Sequence, residues 1–108
     1  MKMTISEAKE IQEKFDRKHS GNEPFYVPVS EGNIDVLEHL LVCLVGEVGE
    51  FSNIVKKVRR GDFSLNEVKC DLGEELADIF IYLLKISNQA DIDIEMEFAK
   101  KVSKNEKR

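Results

Sequence analysis

Four acidic residues, Glu47, Glu50, Glu75 and Asp78, have a spacing that sets them apart from a solvated surface in this sequence. Glu47 lies three residues after Leu44, seven after Leu40 and four before Phe51. At about 3.6 residues per turn it falls inside an apolar helical stripe. Glu50, one turn on, is about 60° away at the edge of that stripe, so the two side chains can converge. Glu75 and Asp78 repeat the three-residue separation and share a side with Asp71 and Tyr82. Carboxylates gathered in this way repel one another and are poorly solvated unless divalent cations neutralise them. Hard oxygen donors without His or Cys favour Mg2+, with Mn2+ as a substitute. Magnesium retains waters and phosphate oxygens, which implies a phosphorylated substrate.

The two pairs must face one another for this chemistry, and the surrounding pattern predicts how. Ile34 to Arg60 lacks proline, carries Leu37, Leu40, Leu44, Val48, Phe51, Ile54, Val55 and Val58 at helical steps, and is stopped by Gly61. Ser64 and Glu67 form a capping box for a second long helix, with Val68, Leu72, Leu76, Ile79, Phe80, Leu83 and Leu84 running to about Asn88. So short a connection makes the two helices antiparallel neighbours. Glu50 precedes Gly61 by 11 residues and Glu75 follows Ser64 by 11, which puts both pairs roughly 16 Å from the turn at the helical rise per residue.

Thr4 and Glu7 form another capping box, starting a first helix with Ile5, Ala8, Ile11, Gln12 and Phe15 that runs to about Lys18. Residues 19–32 hold both prolines and no sustained period, as expected of a long loop that could cover a substrate. Asp91 or Asp93 caps a last helix with Ile94, Phe98, Ala99 and Val102, on whose face Lys101, Asn105 and Arg108 could reach phosphate. The fold class is all-α, a four-helix bundle. The third helix is apolar over more than one stripe, which self-association would cover.

Composition narrows the alternatives. A length of 108 residues is one domain, 1–108, and 42% hydrophobic with 34% charged residues suits a folded chain. A net charge of -5 argues against a nucleic-acid partner. No apolar run approaches a membrane span, and Met1–Glu10 lacks a signal-peptide stretch, so a cytoplasmic protein is expected. Cys43 and Cys70 lack a Cys-x-x-Cys spacing and are expected as small core residues. His19 and His39 do not follow a glutamate at three residues, which excludes a di-iron bundle, and His39 is expected to be packed. Lys56, Lys57, Arg59 and Arg60 suit the negative end of a helix dipole.

The segments Gly46-Glu47-Val48-Gly49-Glu50-Phe51 and Glu74-Glu75-Leu76-Ala77-Asp78-Ile79-Phe80-Ile81-Tyr82-Leu83 resemble the paired motifs of the MazG-like all-α nucleoside triphosphate pyrophosphohydrolases. The resemblance extends from about Asp35 to Arg108, and Gly46 in place of the pattern's first Glu is similar to the branch of dCTP pyrophosphatase. It implies Mg2+-dependent cleavage of the α–β phosphoanhydride of a nucleoside triphosphate, giving the monophosphate and pyrophosphate. Glu47, Glu50, Glu75 and Asp78 would be the metal ligands, with Glu47 or Glu50 handling the attacking water and Glu50 preferred. Lys101 and Asn105 would bind the triphosphate, Tyr82 would lie near sugar and base, and Gln12, with Phe15, resembles a region that contributes to the base pocket. Family members form homodimers and homotetramers, which the resemblance implies here. The alternative from another class is a non-catalytic helical interaction module with a structural cation site.

Overall fold

The computed structural model describes residues 2–108 and is all-α. Its helices are α1 (Ile5–Lys18), α2 (Ile34–Arg60), α3 (Leu65–Gln89) and α4 (Ile94–Glu106), with one 3-10 turn at Glu31–Asn33. Reciprocal caps fix the starts of α1 and α3. The Thr4 hydroxyl accepts from the Glu7 N–H at 3.0 Å while the Glu7 carboxylate accepts from the Thr4 N–H at 3.1 Å. Ser64 and Glu67 do the same at 3.2 and 2.8 Å, and the Ser64 backbone and hydroxyl hold the Glu67 carboxyl below its ordinary pKa. Asp93, rather than Asp91, caps α4 by accepting from the Met96 N–H at 3.0 Å. Asp91 takes a left-handed conformation in the preceding turn, with φ 55°.

Helix α2 ends at Gly61, whose φ of 93° is the left-handed conformation that lets the chain reverse within four residues. The two long helices α2 and α3 pack along each other as an antiparallel hairpin, and α1 lies against α3. Helix α4 docks mainly on α1, where Ser6 donates from its backbone and hydroxyl to Glu95 at 3.2 and 2.8 Å. Helices α2 and α3 form the central hairpin, with α1 on α3 and α4 on α1. The radius of gyration is 16.4 Å, against about 13 Å for a close-packed chain of this length. Leu40, Val68 and Leu84 are the buried apolar side chains among the described residues.

Several stripes are rotated from their expected faces. On α1, Ile11 and Phe15 are exposed, and the inward side is Ala8, Gln12 and the fully buried Asp16. The reason is electrostatic, since Asp16 meets Lys85 of α3 and turns the polar face of α1 inward. On α2 the inward side is Leu40, Leu44, Glu47, Phe51 and Ile54, leaving Val48 and Val55 outside. On α3, Leu76, Phe80 and Leu83 face outward while Leu72, Glu75, Ile79 and Tyr82 face α2 and α1. Cys70 is exposed and Cys43 half-buried, so neither is a core residue, and His39 is exposed.

The connection before α2 is tied down. Gln89, 3% exposed at the end of α3, accepts from the Val29 N–H through its backbone at 2.7 Å and from the Val27 N–H through its side chain at 3.1 Å. Its amide nitrogen donates to the Phe25 carbonyl at 3.3 Å. The segment expected as a long loop is thus a strap fixed to α3. No helix among the described residues is long and apolar enough to cross a membrane.

Ser64→Ala removes the hydroxyl that caps α3 and is expected to lower the unfolding free energy by about 1 kcal/mol. Urea denaturation at fixed protein concentration measures it.

Candidate active site

Glu47 of α2 and Glu75 and Asp78 of α3 converge as the register predicts. One carboxylate oxygen from each lies within 4.8 Å of the others, and all three side chains are half-buried. The apolar neighbours of Glu47 on α2 force it inward, and the antiparallel hairpin delivers Glu75 and Asp78 opposite. One oxygen of Glu47 and one of Glu75 are buried without a hydrogen-bond partner among the described residues. Buried carboxylate oxygens without donors are costly, and a hard divalent cation would satisfy them. The donor set is all oxygen and the residues fit such an ion.

The electrostatics carry the same strain. Burial, followed by the close approach and negative charge of Glu50 and then of Glu47, pushes the Glu75 carboxyl up to about 7. Glu47 is also raised, by burial first and then by the charges of Glu50 and Asp78. Glu50 is exposed and its oxygens fall outside the three-residue cluster, yet it stands close enough to perturb both glutamates. It is a rim residue, adjoining a shallow depression lined by Gly46, Gly49 and Lys56. A Cβ at Gly46 or Gly49 would meet nothing within 4 Å, so these glycines leave open space beside Glu50.

Tyr82 connects the cluster to a cavity of about 930 Å³ between α1, the strap, α2 and α3. Its hydroxyl is pushed up to about 12 by burial, then by Cys43 and by the charges of Glu47 and Asp78. Gln12 lines the same cavity, as do Phe15, Phe25, His39 and Lys85. The structure thus brings Gln12 and Tyr82 together around one space beside the acids. Lys101 and Asn105 are exposed on α4 and line neither the cluster nor this cavity.

Three polar residues of this region escaped the sequence reading. Asp16 is 1% exposed and accepts from Lys85 Nζ at 2.7 Å and from Gln12 Nε2 at 3.0 Å. Gln89 anchors the strap that carries Phe25. The available signal for Asp16 was its four-residue step from Gln12, which places both on one face. Nothing in the sequence pairs Lys85 with a residue 69 positions away.

Residues 36–108 match the family described as the MazG nucleotide pyrophosphohydrolase domain. Over 62 residues the chain is 37% identical to the Gene 37 protein of Mycobacterium phage L5, covering 56% of this chain and 54% of that protein. The chain thus spans about half the length of this curated relative. No solved structure matches.

The raised Glu75 carboxyl makes stability depend on pH in the metal-free protein. The folded form holds this proton more tightly than the unfolded chain, so its contribution is complete below the unfolded pKa of 4.5 and is lost as pH rises through about 7. In chelator, the melting temperature is expected to fall over that window, and less so in Glu75→Gln. Added Mg2+ is expected to raise melting more at about pH 8 than at about pH 5, where protons compete with the cation. Thermal scans with and without Mg2+ check both.

Proposed function

The chain belongs to the family of MazG nucleotide pyrophosphohydrolase domains, and from that premise we propose that it hydrolyses the α–β phosphoanhydride of a nucleoside triphosphate, releasing the monophosphate and pyrophosphate. The observation that carries this reading is the convergence of Glu47, Glu75 and Asp78 within 4.8 Å, with partnerless buried oxygens on both glutamates. These three residues would hold Mg2+, with Mn2+ as a substitute. A bound divalent cation neutralises phosphate charge and lowers the pKa of a coordinated water.

The protein's own groups complete the reading. Glu50, exposed at the rim and within electrostatic reach of Glu47 and Glu75, would orient the attacking water and take its proton. Tyr82 and Gln12 line the cavity next to the cluster, a suitable place for sugar and base. Gly46 is compatible with a substrate like that of dCTP pyrophosphatase. The same reading puts the protein in the cytoplasm.

Self-association belongs to the same proposal. Leu41, Val42 and Val45 on α2 and Leu76 and Phe80 on α3 are between 44% and 64% exposed, an apolar extent that a homodimer or homotetramer would cover. Lys101 and Asn105, remote from the cluster's lining within one protomer, would then engage the triphosphate of a neighbouring copy.

Purified protein is expected to release pyrophosphate, and not orthophosphate, from one or more triphosphates only when Mg2+ or Mn2+ is present. Glu75→Gln and Asp78→Asn are each expected to lower turnover by at least about 100-fold with the helical content retained. Full turnover in either variant would remove the cluster from the reaction. Separation of products from a panel of ribo- and deoxynucleoside triphosphates, with circular dichroism as the folding control, decides the matter.

A further inference from the structure

Lys85 is a nearly buried lysine in the wall of the cavity that Gln12, Phe15, Phe25 and Tyr82 also line. Its side chain is 13% exposed and that of its partner Asp16 is 1% exposed, joined at 2.7 Å. Lysine is seldom so buried without a partner, and removing one member of such a pair leaves a costly unpaired charge. The ammonium carries three donors, and Asp16 is its one hydrogen-bond acceptor among the described residues. Lys85 also sits 5.3 Å from the Phe25 ring centre and 5.9 Å from that of Tyr82. It is therefore fixed in place with donors to spare, on a surface that offers aromatic faces.

Its position suits one end of a nucleotide. Lys85 lies seven residues after Asp78 on α3, about 10 Å along the helix on nearly the same face. A nucleotide whose phosphates meet the acidic cluster would extend past Tyr82 and bring its base to Phe15, Phe25 and Lys85. Phe15 is itself held by a stacked His19, with ring centres 4.0 Å apart. Aromatic faces accept any base, so discrimination falls to the polar groups. Gln12 is the side-chain type that reads adenine by offering a donor and an acceptor together. Here one of its two amide hydrogens goes to Asp16 at 3.0 Å, which ties its orientation to the same carboxylate that holds Lys85. Lys85 offers donors alone, which match a base carbonyl.

We infer that Lys85, held by Asp16, is a specificity-determining residue of this cavity, donating to a ring carbonyl and favouring oxo-bearing nucleobases over adenine. The inference rests on the nucleotide reading of the site but not on turnover.

The test is calorimetric titration of the full-length protein, in Mg2+, with the deoxynucleoside monophosphates of hypoxanthine and adenine. These purines differ at position 6, oxo against amino, and carry no anhydride to cleave. The wild type is expected to bind the hypoxanthine nucleotide at least about tenfold tighter, a difference of about 1.4 kcal/mol. Asp16→Asn combined with Lys85→Met removes both charges together and is expected to bring the two affinities within about threefold, mainly by weakening the oxo ligand. Lys85→Arg, which keeps a charge beside Asp16 but changes its donor geometry, is a second variant should the first not fold. It is expected to alter the ratio by at least about threefold.

Equal wild-type affinities, no binding of either ligand, or a ratio unchanged in the folded variants would overturn the inference. So would an equal loss for both ligands, which would place Lys85 on the phosphate. An oxo preference that depends on Lys85 in a protein releasing no pyrophosphate from any triphosphate would support this inference while removing the proposed reaction.

Discussion

Holding Glu47, Glu75 and Asp78 within 4.8 Å of one another, half-buried, works against folding, and the rest of the architecture is arranged to impose it. Repulsion and desolvation both favour separation, as the raised Glu75 carboxyl shows. The opposing constraint is the register of α2 against α3, fixed at one end by the left-handed Gly61 and the Ser64–Glu67 cap. Apolar packing on either side of Glu47, from Leu40 and Leu44 to Phe51 and Ile54, prevents the helix from rotating its acid into solvent. A site poised in this way gains most from a ligand of opposite charge, because binding relieves a penalty that the folded chain already carries.

The same hairpin organises the second half of the site. Helix α3 continues from the acids through Tyr82 to Lys85 and ends at Gln89, so one element carries the cluster, the cavity wall and the anchor of the strap. Lys85 draws Asp16 and with it α1, while Gln89 draws the strap through three hydrogen bonds. These polar links do work that the small apolar core cannot. With few fully buried apolar side chains, the orientation of α1 depends on a directional ion pair as much as on non-directional burial.

The open shape follows from the same distribution of side chains. The outer faces of α2 and α3 expose large apolar side chains such as Leu41, Val45, Leu76 and Phe80, and α4 makes its main contacts with α1. The radius of gyration of 16.4 Å accompanies these exposed faces. The proposed self-association and the proposed role of Lys101 and Asn105 therefore share one physical origin.

Helix boundaries, caps and the acidic cluster were legible in the sequence because they depend on local rules. Capping boxes act over three residues, the helical period fixes a face within a turn or two, and a short antiparallel connection converts counting from the turn into register. Thus Glu47, Glu50, Glu75 and Asp78 were expected to face one another, the structure gathers three of them within 4.8 Å and leaves Glu50 at the rim, and the paired motifs around them already resembled the family to which the chain belongs. The facing of α1, the exposure of Leu76, Phe80 and Cys70, and the pairing of Asp16 with Lys85 were decided only by the tertiary structure. An apolar residue looks the same in sequence whichever neighbour it meets. Where a helix is apolar on two sides, or where a carboxylate finds a lysine 69 residues away, the choice of face belongs to long-range packing and electrostatics, which local periodicity does not encode.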